Sequence, residues 1–196
     1  MKAKFILTIL VLFSLVVPNN NLKAQDNKKN VITMSLSNLC IITPTLYYER
    51  AIGEKTSLQL GAFYTGIKIS DSKFSGLGVI PEFRFYPGTY GAPRGFYFAP
   101  FFKYRNFNIS KTINDLAESR DAKVTISGIG GGLIIGGQLY VVDVVVLDVF
   151  VGPSITSWNA NFKQNATEDD FGSITGVKFE GTGVGVRFGI SLGFGF

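Results

Sequence analysis

From residue 31 to residue 196, apolar and polar positions tend to alternate with a period of two, the pattern of strands whose faces meet different surroundings. The clearest run is the last. Thr182, Val184, Val186, Phe188, Ile190, Leu192, Phe194 and Phe196 share one face, and Gly181, Gly183, Gly185, Arg187, Gly189, Ser191, Gly193 and Gly195 share the other. The same alternation predicts eight strands, over 31–38, 43–52, 56–68, 75–86, 95–109, 122–139, 144–158 and 176–196.

Each strand has its own pair of faces. Ile32, Met34 and Leu36 oppose Thr33, Ser35 and Ser37, and Leu58, Leu60, Ala62 and Tyr64 oppose Ser57, Gln59, Gly61 and Thr65. On the fourth strand Leu77, Val79, Phe83 and Phe85 oppose Gly76, Gly78, Glu82 and Arg84; Pro81 falls on the apolar face, lacks a ladder donor, and predicts a local bulge. The fifth sets Phe96, Phe98, Phe102 and Tyr104 against Ala99, Lys103 and Arg105. The seventh sets Val145, Leu147, Val149, Val151 and Ile155 against Asp148, Gly152 and Thr156. In the sixth the phase slips across Gly128 to Gly132, which predicts a glycine bulge. The Gly132 to Gly136 spacing also fits a small-residue helix motif, but no helical pattern follows, and no Gly-Lys-Ser/Thr makes the run a phosphate loop.

The small face decides between two kinds of barrel. Six glycines make a poor surface for water, whereas a large apolar face toward lipid and a small face toward a crowded interior suit a narrow transmembrane barrel. The predicted fold class is therefore all-β, an eight-stranded antiparallel up-and-down transmembrane barrel. An even strand number puts both chain ends on one side, expected to be the periplasm, with short turns there and longer loops outside. Residues 53–55 and 141–143 suit turns, and 111–121 and 159–175 suit loops. The stretch 87–94 is long for a periplasmic turn, and 39–42, with the lone Cys40, is short for an outer loop.

The first residues look like an address. Lys2 and Lys4 precede a run, 5–17, that is apolar except for Thr8 and Ser14, and a polar stretch leads to Ala24. This predicts a secretory signal peptide over 1–24, cleaved after Ala24, and a barrel domain over 25–196; the run is shorter than the roughly 20 residues of a spanning helix. With no cysteine directly after the cleavage site, and Cys40 too far along, a lipid-modified N-terminus is not expected. The leader also carries much of the +5 charge: without Lys2, Lys4 and Lys23 the chain has 16 basic against 14 acidic residues, with no basic stripe for nucleic acid.

Composition narrows the chemistry. The chain has 23 glycines, 27 aromatic residues, one cysteine and no histidine, which excludes an internal disulfide, Cys/His zinc sites and imidazole-based catalytic triads. No cofactor or metal site is expected. The charges predicted to face inward are Glu49, Glu82, Arg84, Lys103, Arg105, Asp148 and Arg187. Glu82 and Arg84 are two apart on one strand, as are Lys103 and Arg105 on the next, so cross-strand pairing is expected. The set reads as an ion-pair network filling the lumen; a permeation path or proton relay is the alternative. Glu49 and Glu82 could do acid/base work only if they met a substrate, and no enzyme is predicted. Glu168, Asp169 and Asp170 lack calcium-loop spacing and read as a solvated run in the last loop. Tyr64, Tyr104, Trp158 and Phe179 near one edge, and Tyr48, Phe85, Phe96, Tyr140, Phe194 and Phe196 near the other, are expected to form interfacial girdles.

Three sequences carry a resemblance: the leader end Leu22-Lys23-Ala24-Gln25, the segment Pro44-Thr45-Leu46-Tyr47-Tyr48-Glu49-Arg50-Ala51, and Val79-Ile80-Pro81-Glu82-Phe83-Arg84-Phe85-Tyr86-Pro87. With them the chain resembles the small outer-membrane barrels of Gram-negative bacteria, and most closely a Bacteroidota family known only as a domain of unknown function. The C-terminal strand, with Phe188, Ile190, Leu192, Phe194 and Phe196, resembles the signal read by barrel-insertion machinery. The resemblance implies an outer-membrane location, with outer-membrane lipids, lipopolysaccharide and the insertion machinery as partners. It implies no reaction and no nucleic-acid partner. The expected role is non-enzymatic, in envelope structure or surface interaction, and the expected state a monomer. The alternatives are a narrow channel or carrier for small molecules, or a soluble periplasmic lipid-binding barrel.

Overall fold

The computed structural model describes residues 28–40, 42–69, 72–114, 119–141, 143–163 and 181–196. The leader over 1–24, the acidic run Glu168, Asp169 and Asp170, and Phe179 lie outside the described residues.

Eight strands close into one barrel. They are β1 (Asn30–Ser35), β2 (Thr45–Ala51), β3 (Thr56–Ile69), β4 (Ser72–Phe85), β5 (Gly95–Asn114), β6 (Ser119–Tyr140), β7 (Val145–Lys163) and β8 (Gly181–Gly195). Each pairs antiparallel with the next, and β1 closes on β8 with Val31 opposite Gly195 and Ser35 opposite Ser191. Reciprocal backbone bonds tie Asn30 to Phe196 at 2.9 and 2.8 Å, so both ends of the barrel segment share one rim. The closing seam is short, so Gly181–Ile190 of β8 extends past β1 with no ladder partner on that side among the described residues.

The outward phase matches the expectation on the third, fourth, fifth and seventh strands, on the first as far as Ser35, and on the eighth from Phe188 onward. Val184 is 81% exposed, Val186 67% and Phe188 70%, while Gly189, Ser191, Gly193 and Gly195 on the inner face are buried. The outward apolar run covers Phe96 to Tyr104 on β5, Ile129 to Leu139 on β6 and 145–155 on β7. These runs fit the roughly 9–11 residues that a tilted strand needs to cross the apolar core of a bilayer. Beyond them, away from the rim of the chain ends, the outward face turns polar in step. Asn106 Nδ2 donates to Ser127 Oγ at 3.0 Å, Thr125 Oγ1 donates to Asn108 Oδ1 at 2.9 Å, and Ser157 Oγ lies 2.7 Å from Thr182 Oγ1. The barrel thus has a belt with a sharp edge.

Neither expected bulge forms. The β4–β5 ladder lapses after Val79–Tyr104, returns at Glu82–Phe101, lapses again and returns at Phe85–Phe98, all in an unchanged register. Pro81 and Pro100 fall in these two lapses, and Pro153 falls in the matching lapse between β6 and β7. Each proline simply turns its missing donor toward one neighbour, which costs a local bond without inserting a residue. Across Gly128 to Gly132 the pairing of β6 with β5 is continuous. The slip in pattern arises because glycine occupies inner positions 128, 130 and 132 and outer position 131, after which Ile134 points inward and is buried.

Three boundaries also differ. The first strand ends at Ser35 and runs into a short helix, α1 (Leu36–Cys40), where the loop expected at Cys40 was shorter. β5 and β6 stay paired to Asn114–Ser119, so the long loop expected over 111–121 is mostly ladder. β7 likewise continues to Lys163.

Candidate functional site

The barrel interior is built by pairing bulk with absence. Tyr47 lies opposite Gly61, Phe63 opposite Gly78, Phe107 opposite Gly76, Tyr97 opposite Gly136 and Phe150 opposite Gly189. At each of these glycines a β-carbon would meet the ring at 2.2 to 2.6 Å, so each aromatic ring occupies the space its neighbour leaves free. Inward glycines therefore serve to admit rings, which explains why the small face of the sequence is not a solvent face.

Within this frame Arg84 on β4 is the centre of a buried polar cluster. Its Nη1 donates to Glu49 Oε2 at 3.0 Å and to Gln138 Oε1 at 2.9 Å. Nη2 donates to Asp148 Oδ2 at 3.0 Å and Glu82 Oε2 at 3.2 Å, and Nε donates to Glu82 Oε2 at 3.3 Å. The five N–H donors of a guanidinium are thus all used, on groups from β2, β4, β6 and β7. Side chains on the barrel wall complete the cluster. Tyr86 Oη and Ser57 Oγ donate to Glu49 Oε1 at 2.6 and 2.5 Å, and Tyr97 Oη donates to Asp148 Oδ1 at 2.9 Å. The Tyr97 ring lies 4.2 Å from the guanidinium carbon and 5.4 Å from the Tyr86 ring. Gln138 Nε2 donates to the Pro93 carbonyl at 2.7 Å, which anchors the 86–94 turn across this end of the lumen.

One level further from that rim, Arg187 on β8 reaches Glu82 Oε1 through Nη2 at 2.5 Å. Its guanidinium is held between Phe101 and Phe150, 4.5 and 4.6 Å from the ring centroids. Five of the seven charged residues expected in the lumen therefore form one connected network: Glu49, Glu82, Arg84, Asp148 and Arg187.

Lys103 and Arg105 point inward but stand apart, contrary to the expected cross-strand pairing. The register sets Phe101 opposite Glu82, and Arg105 opposite Gly78, so both cations lie beyond the network toward the loops. Arg105 instead stacks on Trp158, 3.5 Å from the ring centroid, over Gly128. Trp158 and Tyr140 thus occupy inner positions of their strands and are not girdle residues; Tyr140 Oη lies against Gly195, on the inner face. The outward placement holds for Tyr64, Tyr104, Tyr48, Phe85, Phe96, Phe194 and Phe196.

Sequence reasoning missed Tyr47, Tyr86, Tyr97, Phe101, Gln138 and Phe150 as lumen residues. Phase alone marks several of them: Tyr97 and Phe101 share the parity of Ala99 and Lys103, and Phe150 that of Asp148. Glu49 and Glu82 are 1% and 2% exposed and both are held by Arg84, and among the described residues no group of His, Cys, Asp or Glu converges to hold a metal ion.

These features define a class: a closed, eight-stranded antiparallel barrel with an apolar exterior belt and a lumen packed by aromatic rings and an arginine-centred charge network. The chain belongs to the family described as a protein of unknown function, DUF3575, whose family model matches residues 7–154. Among solved structures it is similar to the translocator domain of the autotransporter NalP from Neisseria meningitidis, at 13% identity and a TM-score of 0.45, covering 97% of this chain and 68% of that one. It is also similar to the N-terminal β-barrel domain of Pseudomonas aeruginosa OprF, at 12% identity and a TM-score of 0.36, covering 87% and 98% of the two chains. A comparison with curated proteins found no match.

Proposed function

We propose that this chain is a non-enzymatic integral outer-membrane protein of a Gram-negative cell, a monomeric barrel whose lumen is closed at the end bearing the chain termini and whose loops face outward. The observation that carries the reading is the belt: outward Leu, Val, Ile and Phe on every strand, ending together at a polar edge. A soluble protein rarely exposes apolar patches beyond a few hundred Å², so this exterior is suited to lipid. The mutual pairing of these buried charges, with all five N–H donors of Arg84 engaged, supports a structural role for the network over a transport role. Outer-membrane lipids and lipopolysaccharide around the belt, and the insertion machinery that handles the strand ending in Phe188, Ile190, Leu192, Phe194 and Phe196, are the partners that fit. The leader over 1–24 supplies the export step.

The test is gel mobility of the detergent-extracted membrane fraction, boiled and unboiled. A membrane-bound band whose mobility changes on boiling is expected of a folded barrel. Release without detergent, with mobility indifferent to boiling, overturns the reading and favours a soluble ligand-binding barrel.

A further inference from the structure

We propose that the loop-side half of the lumen is an oxyanion-binding vestibule, in which Lys103 and Arg105 take a divalent tetrahedral anion of the inorganic phosphate type. The proposal rests on the membrane reading only for the side to which the vestibule opens.

Charge comes first. Lys103 and Arg105 lie two apart on the inner face of β5, with Arg187 the next cation in reach, so three like charges neighbour one another. The nearest inward carboxylate along the ladder, Glu82, is already engaged by Arg84 and Arg187. Among the described residues neither Lys103 nor Arg105 donates a hydrogen bond to the protein, and Arg105 Nε is buried without a partner. Two adjacent partly buried cations with no counterion among the described residues are costly as mere packing, since an apolar or amide side chain would fill the same space without a charge to desolvate.

The surroundings hold space and order. In the paired rows of the barrel, Arg105 faces Gly128, then Trp158, then Gly181; Lys103 faces Gly130, then Thr156, then Gly183. A β-carbon at Gly181 or Gly183 meets nothing within 4 Å among the described residues, in contrast to Gly189 and Gly195 at the closed end, where it would meet Phe150 and Tyr140 at 2.5 and 2.6 Å. Among the described residues the lumen is therefore packed more tightly at one end than at the other, and Lys103 and Arg105, which find no carboxylate there, lie toward the looser end. Trp158 holds the Arg105 guanidinium by one face, which fixes the fork while leaving its N–H edge free. A fixed guanidinium edge beside a flexible ammonium suits a tetrahedral oxyanion, and two cations match its two charges.

The arrangement carries its own probe, because Trp158 is the sole tryptophan of the chain. The folded full-length mature chain in a zwitterionic detergent, first shown to be heat-modifiable, is titrated with inorganic phosphate at about pH 7.5 and constant ionic strength, with fluorescence at Trp158 as the readout and calorimetry in parallel. A saturable change is expected, with acetate binding more weakly. Lys103→Gln, which leaves the Arg105–Trp158 stack in place, is expected to weaken phosphate by about ten-fold or more, the loss typical of one charge-assisted hydrogen bond. A response indistinguishable from that to chloride, or a phosphate affinity that Lys103→Gln leaves unchanged, overturns the site and makes the pair a hydrated filler. Acetate binding as tightly as phosphate overturns the divalent assignment. Because heat-modifiability is scored on the same preparation, failure of the site and failure of the membrane reading are separate results.

Discussion

The Tyr97 ring lies where a side chain on Gly136 would stand: a β-carbon at Gly136 would sit 2.4 Å from Tyr97 Cζ. The ring cannot move away freely, because its hydroxyl donates to Asp148 and its face covers the Arg84 guanidinium. Gly136→Val is therefore expected to destabilise the folded barrel by about 1–3 kcal/mol, the range for overpacking a filled interior. Gly137→Ala is the control, since its β-carbon meets nothing within 4 Å on the outer face. Urea unfolding followed by the heat-modifiable band separates the two. Equal midpoints for both variants would mean that glycine in this lumen is not selected for the rings.

Arg84 touches three carboxylates, and removing it leaves all three buried. Arg84→Met should cost about 3–5 kcal/mol, the usual consequence of leaving buried charge without its partner. Arg84→Lys restores the charge but not the planar fork, and should recover only part of the loss. The triple variant Arg84→Met, Glu49→Gln, Asp148→Asn removes most of the stranded charge and should fold better than Arg84→Met alone. A triple variant no more stable than the single one, measured by urea midpoint, would show that packing and not charge sets the cost.

The strand phase was legible because the outside and the lumen of a narrow barrel impose opposite demands on alternate positions, so Val184 to Phe196 and their glycine partners announce both faces at once. The inward charges were legible for the same reason. Which charges meet was not, because a partner depends on register around a closed wall: Arg84 finds Asp148 from β7 and Gln138 from β6, at sequence separations of 64 and 54. Lys103 and Arg105 repeat the spacing of Glu82 and Arg84, yet stand two positions further toward the loops. Trp158 and Tyr140 were assigned by residue type to the interface, and parity, which places them inside, is the better guide. The prolines misled in the opposite sense, since Pro81 breaks a pairing without shifting it.

Tyr86 and Tyr97 are both fully buried across the lumen at the closed end, and their rings are 5.4 Å apart. The wild-type protein in a planar bilayer is expected to show no stable ion conductance. Tyr86→Ala with Tyr97→Ala removes the two rings and leaves the Arg84 guanidinium uncovered, which should admit water and produce a small conductance in the fraction that folds. Steady conductance from the wild type, in a preparation free of other porins, would favour the channel alternative.

Ile190 lies within the outward run of β8 that extends from Val184 to Phe196, and pairs across with Val149, itself outward and exposed. An arginine on the lipid face of a barrel costs about 2–4 kcal/mol near the bilayer midplane and almost nothing near the interface. Ile190→Arg should therefore hinder insertion and lower the yield of heat-modifiable protein, and Val186→Arg should do so less because it lies nearer the polar edge. Thr182→Arg should be close to neutral, because Thr182 already sits at that edge beside Ser157. The ordering is the informative outcome, measured as folded fraction in lipid vesicles. In aqueous buffer without lipid, an arginine at any of these exposed positions would improve solubility, so a folded yield that rises for Ile190→Arg would place the belt in water.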